Sequence, residues 1–212
     1  MSGPEWDEAA VRAHVSRETG DRLALLATEL RRWQAIKNLV SPSTVEDVWS
    51  RHIADSLQIA DLAPDACTWV DLGSGAGFPG LVIAIATAAR PRSHVHLIES
   101  NGRKCAFLRH AARATAAPVT VHDARIEDVA PGLAGTADVV TARALAPLSK
   151  LLEWSQELLK SGALGLFPKG REVAAELTEA EKSWRFKAEL LPSRTDSEAR
   201  IVRVTSFEGP RL

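Results

Sequence analysis

Leu23, Leu26, Leu30, Trp33, Ile36 and Val40 recur at steps of three and four residues, a spacing that lines one face of an α-helix with apolar side chains. Ser41-Pro42-Ser43 interrupts this stripe. Ser43 and Glu46 then have the spacing of a capping box opening a second helix, whose face carries Val45, Val48, Trp49, Ile53, Leu57 and Ala60. From Cys67 onward the pattern changes. Short apolar runs at Thr68–Leu72, His94–Ile98, Val119–His122, Ala137–Ala142 and Ala163–Phe167 predict strands. Between them Leu81–Ala88, Arg103–Thr115 and Leu148–Lys160, and after them Val173–Ser183, predict helices. Strands alternating with helices imply a mostly parallel sheet covered on both faces. The last two extended runs, Phe186–Leu191 and Ala199–Phe207, have only Pro192–Glu198 between them and predict an antiparallel hairpin at the sheet edge. The expected organisation is therefore α/β, with a helical extension over residues 1–65 packed on a core domain over 66–212.

One stretch departs from both patterns. Trp69-Val70-Asp71-Leu72 reads as a strand, Gly73-Ser74-Gly75-Ala76-Gly77-Phe78-Pro79-Gly80 as a turn, and Leu81-Val82-Ile83-Ala84-Ile85-Ala86 as the start of a helix. Four glycines in eight residues exceed the needs of a tight turn. Glycine removes the Cβ penalty at positive φ and lets a backbone approach a ligand closely. The following helix presents free N–H groups and a partial positive charge at its start, where Pro79 suits the first turn.

Composition narrows the class. The chain has 212 residues, 45% hydrophobic and 25% charged, enough to bury a substantial core and unlike a disordered sequence. No apolar run nears the ~20 residues of a membrane span, and the acidic Met1–Glu8 start has no apolar signal segment, so a cytoplasmic protein without membrane contact is expected. Cys67 and Cys105 share no metal-ligand spacing and are read as inert core thiols. The histidines at 14, 94, 96, 110 and 122 form no metal-ligand grouping, and no metal is expected. The net charge of −1 is divided unevenly: residues 1–66 hold 7 basic and 11 acidic side chains, residues 67–212 hold 19 and 16. Any nucleic-acid partner must meet a local basic face.

Gly75-Ala76-Gly77-Phe78-Pro79-Gly80 satisfies G-x-G-x-x-G, so NAD binding must be weighed. Glu99, 22 residues after Gly77 at the end of the second strand, is placed to accept both hydroxyls of an adenosine ribose in NAD and S-adenosylmethionine proteins alike. After the third strand, His122-Asp123-Ala124-Arg125-Ile126-Glu127-Asp128 is suited to the adenine edge. The wider context Val70-Asp71-Leu72-Gly73-Ser74-Gly75-Ala76-Gly77 resembles the hydrophobic-Asp-Leu-Gly-x-Gly-x-Gly motif of class I methyltransferases, in which the loop borders the methionine part of S-adenosylmethionine. Asp71 then engages the ammonium or an ordered water, or else caps the turn. An oxidoreductase is disfavoured because the chain has no tyrosine for a Tyr-x-x-x-Lys pair and no substrate domain follows. A non-catalytic S-adenosylmethionine-binding regulator is the remaining alternative. Methyl transfer to rRNA would exclude it.

Arg51-His52-Ile53-Ala54-Asp55-Ser56, Asp71–Leu81, Thr141-Ala142-Arg143-Ala144 and Phe167-Pro168-Lys169-Gly170 occur in this order and spacing. Together they resemble the RsmG (GidB) family, the bacterial 16S rRNA guanine-N7 methyltransferases. The resemblance covers roughly residues 20–210. It implies a class I Rossmann-like fold with a seven-stranded sheet, S-adenosylmethionine as cofactor, and methylation of a guanosine in the 530 loop. The partner is then 16S rRNA or a small-subunit precursor, and a monomer is expected. Carried over by motif, cofactor contacts fall on Gly73, Phe78, Ile126, Glu127 and Arg143, and the loop reading adds Gly75, Gly77 and Glu99.

What is missing also carries information. Amino-group methyltransferases usually place Asn/Asp-Pro-Pro-aromatic after the fourth strand, where this chain has Thr141-Ala142-Arg143-Ala144-Leu145-Ala146-Pro147. Pyrimidine-C5 enzymes need a cysteine nucleophile there, and none is present. Guanine N7 needs neither device, only orientation of its in-plane lone pair. Arg143 is suited to a fork on guanine O6/N7, a phosphate or the cofactor carboxylate. Lys169, with Arg171 nearby, follows the fifth strand at the ligand-facing edge and reads as an RNA contact. No catalytic residue is certain. Arg143 and Lys169 are the candidates. Arg51 and His52 lie one helical turn before Asp55 and Ser56, a polar set expected to join helices, close over the cofactor or touch RNA.

Overall fold

The computed structural model of the chain describes residues 6–37 and 47–211. Helix α1 (Glu8–His14) starts at Asp7, whose carboxylate accepts the Ala10 N–H at 2.8 Å. Helix α2 (Arg17–Lys37) buries Leu23, Leu26 and Leu30 completely and sets Trp33 edge-on to Phe107. The side chain of Ile36 lies outside the described residues, as do Val40, the Ser41-Pro42-Ser43 break, the Ser43–Glu46 capping box and Val45. The next segment is not one regular helix: Val48–Ala54 is wound as a π-helix and continues into helix α3 (Asp55–Asp61). Val48 and Ile53 are nonetheless fully buried, and Trp49, Leu57 and Ala60 nearly so, so the described part of the apolar stripe is retained despite the altered winding.

The sheet follows as β1 (Thr68–Leu72), α4 (Gly80–Thr87), β2 (His94–Glu99), α5 (Gly102–Thr115), β3 (Val119–Asp123), a short α6 (Ile126–Val129) and β4 (Val139–Thr141). It continues through α7 (Leu148–Lys160), β5 (Leu164–Lys169), α8 (Val173–Ser183), β6 (Trp184–Pro192) and β7 (Arg200–Pro210). The seven strands lie in the order β3-β2-β1-β4-β5-β7-β6, the first five parallel and β7 antiparallel to both neighbours. The hairpin is at the sheet edge as expected, with β7 inserted beside β5 and β6 outermost.

Two apolar layers hold the sheet. On one face α2, the π-helix, α3, α4 and α5 share a cluster that includes Leu26, Ile53, Ile83 and Phe107. On the other, α7 and α8 pack Leu151, Leu152 and Val173 on Val140, Phe167 and Val202. Each such buried side chain contributes roughly 1.5–3 kcal/mol by leaving water. Helix α4 is apolar on every side because it lies between the sheet and the earlier helices, with Leu81, Val82, Ile83 and Ala84 all fully buried. The strand order reverses at β1, whose neighbours are β2 and β4. In open α/β sheets the ligand crevice lies outside the carboxyl ends of the strands at this point.

Candidate functional site: two joined cavities at the carboxyl ends of the strands

The glycine loop follows β1 and folds back on β2. Gly73, Gly75 and Gly77 have φ of 64°, 57° and 90°. Ser74 N–H donates to the Ile98 carbonyl (3.0 Å), Ser74 Oγ–H to the Asp71 carbonyl (3.0 Å), and Gly77 N–H to the Ser74 carbonyl (2.7 Å). The three glycines do different work. A Cβ on Gly73 would stand 2.6 Å from Leu145 Cδ1, and one on Gly77 would stand 2.4 Å from Leu81 Cδ1. On Gly75 it would meet only the Gly73 carbonyl, at 3.8 Å, and would otherwise point into open space.

That space is a cavity of about 340 Å³ walled by Gly73, Gly75, Phe78, Glu99, Ile126, Glu127 and Arg143. These are residues expected at the cofactor, now seen around one volume. Gly77 was expected there too but is not in the wall; it gives Leu81 room to pack beneath the loop. Glu99, nearly buried, accepts Gly75 N–H on Oε2 (2.9 Å) and Asn101 N–H on Oε1 (2.8 Å). Each carboxylate oxygen keeps a lone pair for a ligand hydroxyl. The sequence also gave no sign of Trp154, from α7, in this wall.

Asp71 is a cap. It is fully buried, Oδ2 accepts the Gly80 N–H at the start of α4 (3.1 Å), and Oδ1 has no partner. Burial pushes its pKa up to about 7, against the bond from the Gly80 N–H. The residue is in neither cavity wall.

A second cavity of about 1010 Å³ adjoins the first, and Arg143, Ala144 and Leu145 border both. Ala144 has φ of 52°, a left-handed conformation that costs a non-glycine residue on the order of 1–3 kcal/mol. Arg143 Nη1 donates to the Arg51 carbonyl (2.8 Å) and to Asp55 Oδ2 (3.3 Å), and Nη2 to His52 Nδ1 (2.7 Å). Its guanidinium carbon lies 5.5 Å from the Phe78 ring centroid, and His52 stacks on that ring at 4.7 Å. Burial, reinforced by the charges of Arg143 and Arg51, pushes the His52 pKa down to about 4. With Nδ1 accepting from Arg143, the neutral ring carries its proton on Nε2, which is buried without a partner.

The far wall comes from the hairpin. Thr195 Oγ1 donates to Asp55 Oδ1 (3.0 Å), Gln58 Nε2 donates to the same oxygen (2.7 Å), and Arg194 N–H donates to Gln58 Oε1 (2.9 Å). Asp55 thus ties the hairpin tip to Arg143. Lys169 is in this wall but turned inward: Nζ donates to the Ala146 carbonyl (2.6 Å) and pairs with Glu176 (2.6 Å), with its side chain 9% exposed. Glu176 also accepts the Leu148 N–H that opens α7 (2.7 Å). Arg51 is exposed at the second cavity, whereas Arg171 is exposed outside both and pairs with Glu172 at 3.7 Å. Cys105 is a buried thiol raised to about 11 by burial, but Cys67 is only half-buried, a correction to its reading as a core residue. Among the described residues no group of three His, Cys, Asp or Glu side chains is set to hold a metal ion, and no helix is long and apolar enough to cross a membrane.

A strand-order reversal, a glycine loop open at Gly75 and an acid at the end of β2 mark a Rossmann-like nucleoside site, and the sheet order β3-β2-β1-β4-β5-β7-β6 with β7 antiparallel to both neighbours is that of a class I S-adenosylmethionine-dependent methyltransferase. Solved structures share the fold. An O-methyltransferase from Streptomyces achromogenes, TomG, in complex with S-adenosylmethionine matches with TM-score 0.61 at 14% identity, over 97% of this chain and 99% of that one. An O-methyltransferase from Bacillus cereus in complex with S-adenosylhomocysteine matches with TM-score 0.58 at 13% identity, over 85% and 90%. The model of the GidB family, described as rRNA small subunit methyltransferase G, matches residues 20–200. Ribosomal RNA small subunit methyltransferase G of Methylorubrum extorquens is 62% identical over 194 residues, 92% of each chain. Its counterpart in Methylobacterium radiotolerans is 60% identical over 211 residues, 99% of each. The chain belongs to the rRNA small subunit methyltransferase G family, and its cofactor is S-adenosylmethionine.

Proposed function

We propose that this protein methylates N7 of a guanosine in the 530 loop of 16S rRNA, acting as a cytoplasmic monomer on the rRNA or a small-subunit precursor. The observation that carries the N7 reading is the chemistry of the second cavity. Among the described residues its wall holds no cysteine, and the lone pair of His52 is taken by Arg143. Asp55 and Glu176 are already paired with cations, and Asp196 Oδ1 accepts the Glu198 N–H. An exocyclic amine or a ring carbon must lose a proton and needs a base or nucleophile. N7 does not.

S-adenosylmethionine supplies an electrophilic methyl on a positively charged sulfur. Gly73, Gly75 and Phe78 are suited to hold its methionine end, Glu99 its ribose hydroxyls, and Ile126 with Glu127 its adenine. Arg143, common to both walls, is suited to orient the two ligands with respect to each other. The work left to the protein is alignment and exclusion of water.

Nucleoside mass spectrometry of 16S rRNA from a deletion strain tests the proposal: loss of one N7-methylguanosine supports it, and an unchanged content refutes it. A further expectation concerns pH. With His52 neutral down to about 4, and Asp71, raised to about 7, outside both cavity walls, the single-turnover rate at saturating ligands should vary little between about pH 6 and 9. His52→Gln should stay within about tenfold, roughly 1.4 kcal/mol. A thousandfold loss with a vanished titration near neutrality would make His52 a base and exclude N7.

Arg143→Ala and Lys169→Ala should separate the two cavities. The first removes a guanidinium from the cofactor wall and should weaken cofactor binding. Lys169→Ala should leave cofactor affinity unchanged and impair RNA methylation. Because Nζ is spent on Ala146 and Glu176, the salt dependence of RNA binding should shift by less than one phosphate contact. A full one-contact change in slope would mean that Lys169 turns outward to the backbone.

A further inference from the structure

Trp154 has no part in the roles described so far, yet it stands in the wall of the cofactor cavity. Its indole Nε1–H donates to Glu127 Oε1 at 2.7 Å, and Lys150 Nζ lies 5.1 Å from the ring centroid. The ring is half-buried on α7, where it packs against the apolar layer formed by Leu151, Leu158 and their neighbours. It is therefore a rigid donor. Glu127, by contrast, is an exposed side chain on the first turn of a four-residue helix, and such a glutamate ordinarily samples several rotamers. The hydrogen bond removes that freedom. Its own backbone N–H, the indole and the charges of Lys150 and Arg125 keep the Glu127 pKa low, so the group is an ionised acceptor that cannot donate.

An acceptor fixed at one end of a nucleoside cavity discriminates by donor pattern. Adenine carries an amino donor at C6. A purine with a carbonyl at C6 presents an acceptor there instead, and two acceptors repel. We propose that Trp154 is a positioning residue for cofactor selectivity: by tethering Glu127 through the indole N–H, it fixes an acceptor-only carboxylate at the adenine end of the cavity. The site thereby takes 6-amino purines and rejects 6-oxo purines. This rests on adenine lying beside Ile126 and Glu127, as in the proposed function.

Calorimetric titration of the full chain with S-adenosylhomocysteine and with its inosine analogue, S-inosylhomocysteine, tests the proposal without any methyl transfer. The wild-type protein should prefer the adenosine ligand by about tenfold or more. Trp154→Phe keeps the ring packing and removes the N–H. The preference should shrink to less than about threefold, chiefly through weaker binding of the adenosine ligand. Trp154→Met, which also lacks the donor, gives the same test should the phenylalanine variant not fold. Trp154→His, which restores a ring N–H, should recover part of the preference. In a Glu127→Gln background, Trp154→Phe should change the ratio no further. If Trp154→Phe and Trp154→Met keep the wild-type ratio while Glu127→Gln alters it, the tether is overturned and the adenine placement stands. If Glu127→Gln alters neither affinity nor ratio, the adenine placement itself fails.

Discussion

Gly75→Val will abolish binding of S-adenosylmethionine while the protein remains folded. Gly75 faces the cavity proposed to hold the cofactor, and a Cβ there meets nothing closer than the Gly73 carbonyl at 3.8 Å. The apo protein has space for the side chain, so the steric clash falls on the ligand, while the backbone strain at positive φ falls on the loop that would hold it. Two effects add: the isopropyl group fills cofactor space, and a branched residue is strained at φ of 57°. Calorimetry should show at least about a hundredfold loss of affinity, roughly 2.7 kcal/mol. Far-ultraviolet circular dichroism should be unchanged. A variant with wild-type affinity would remove the loop from the cofactor site.

Gly80→Ala is expected to do the opposite, harming the fold before the ligand. Its Cβ would lie 2.3 Å from Leu97 Cδ2, 2.5 Å from Asp71 Oδ2 and 2.9 Å from Asp71 Cβ, all in the fully buried layer between α4 and the sheet. Neither neighbour can swing into solvent. Relief requires α4 to shift, which lengthens the Asp71–Gly80 bond and leaves a buried carboxylate with less support. Overpacking of this kind costs ~1–3 kcal/mol, and in a chain of this size lowers Tm by about 3–10 °C. Gly132→Ala is the control. Nothing lies within 4 Å of its added Cβ, so its melting point should stay within about 2 °C of wild type. Equal melting points for the two variants would show that α4 tolerates displacement.

The features that a reader of the sequence finds are those encoded in neighbours. Strand, glycine loop and helix follow one another from Thr68 to Thr87, and the spacing of Gly73, Gly75 and Glu99 carries over directly to one cavity wall. Features made by distant residues are not encoded that way. Thr195 and Asp55 are 140 positions apart, and only the fold of the hairpin over α3 makes them partners. Lys169 reads as a free cation until Glu176 and the Ala146 carbonyl are seen around it. Apolar periodicity is likewise blind to winding: Val48 and Ile53 are buried whether the segment is α or π. Ala144 gives no sequence sign of a left-handed backbone, because alanine rarely adopts it.

Arg143 belongs to the walls of both cavities through a single rigid guanidinium, and thermodynamics attaches an obligation to such a shared wall. A ligand that draws Arg143 away from Arg51, Asp55 or His52 changes the free energy of the other chamber. The exchange is symmetrical. Whatever factor the cofactor applies to the affinity for the acceptor, the acceptor must apply to the cofactor. If the loaded protein grips its acceptor tightly and the demethylated product of the cofactor does not sustain that grip, turnover carries its own release signal. The enzyme would then need no separate moving part to tell a finished reaction from one about to begin.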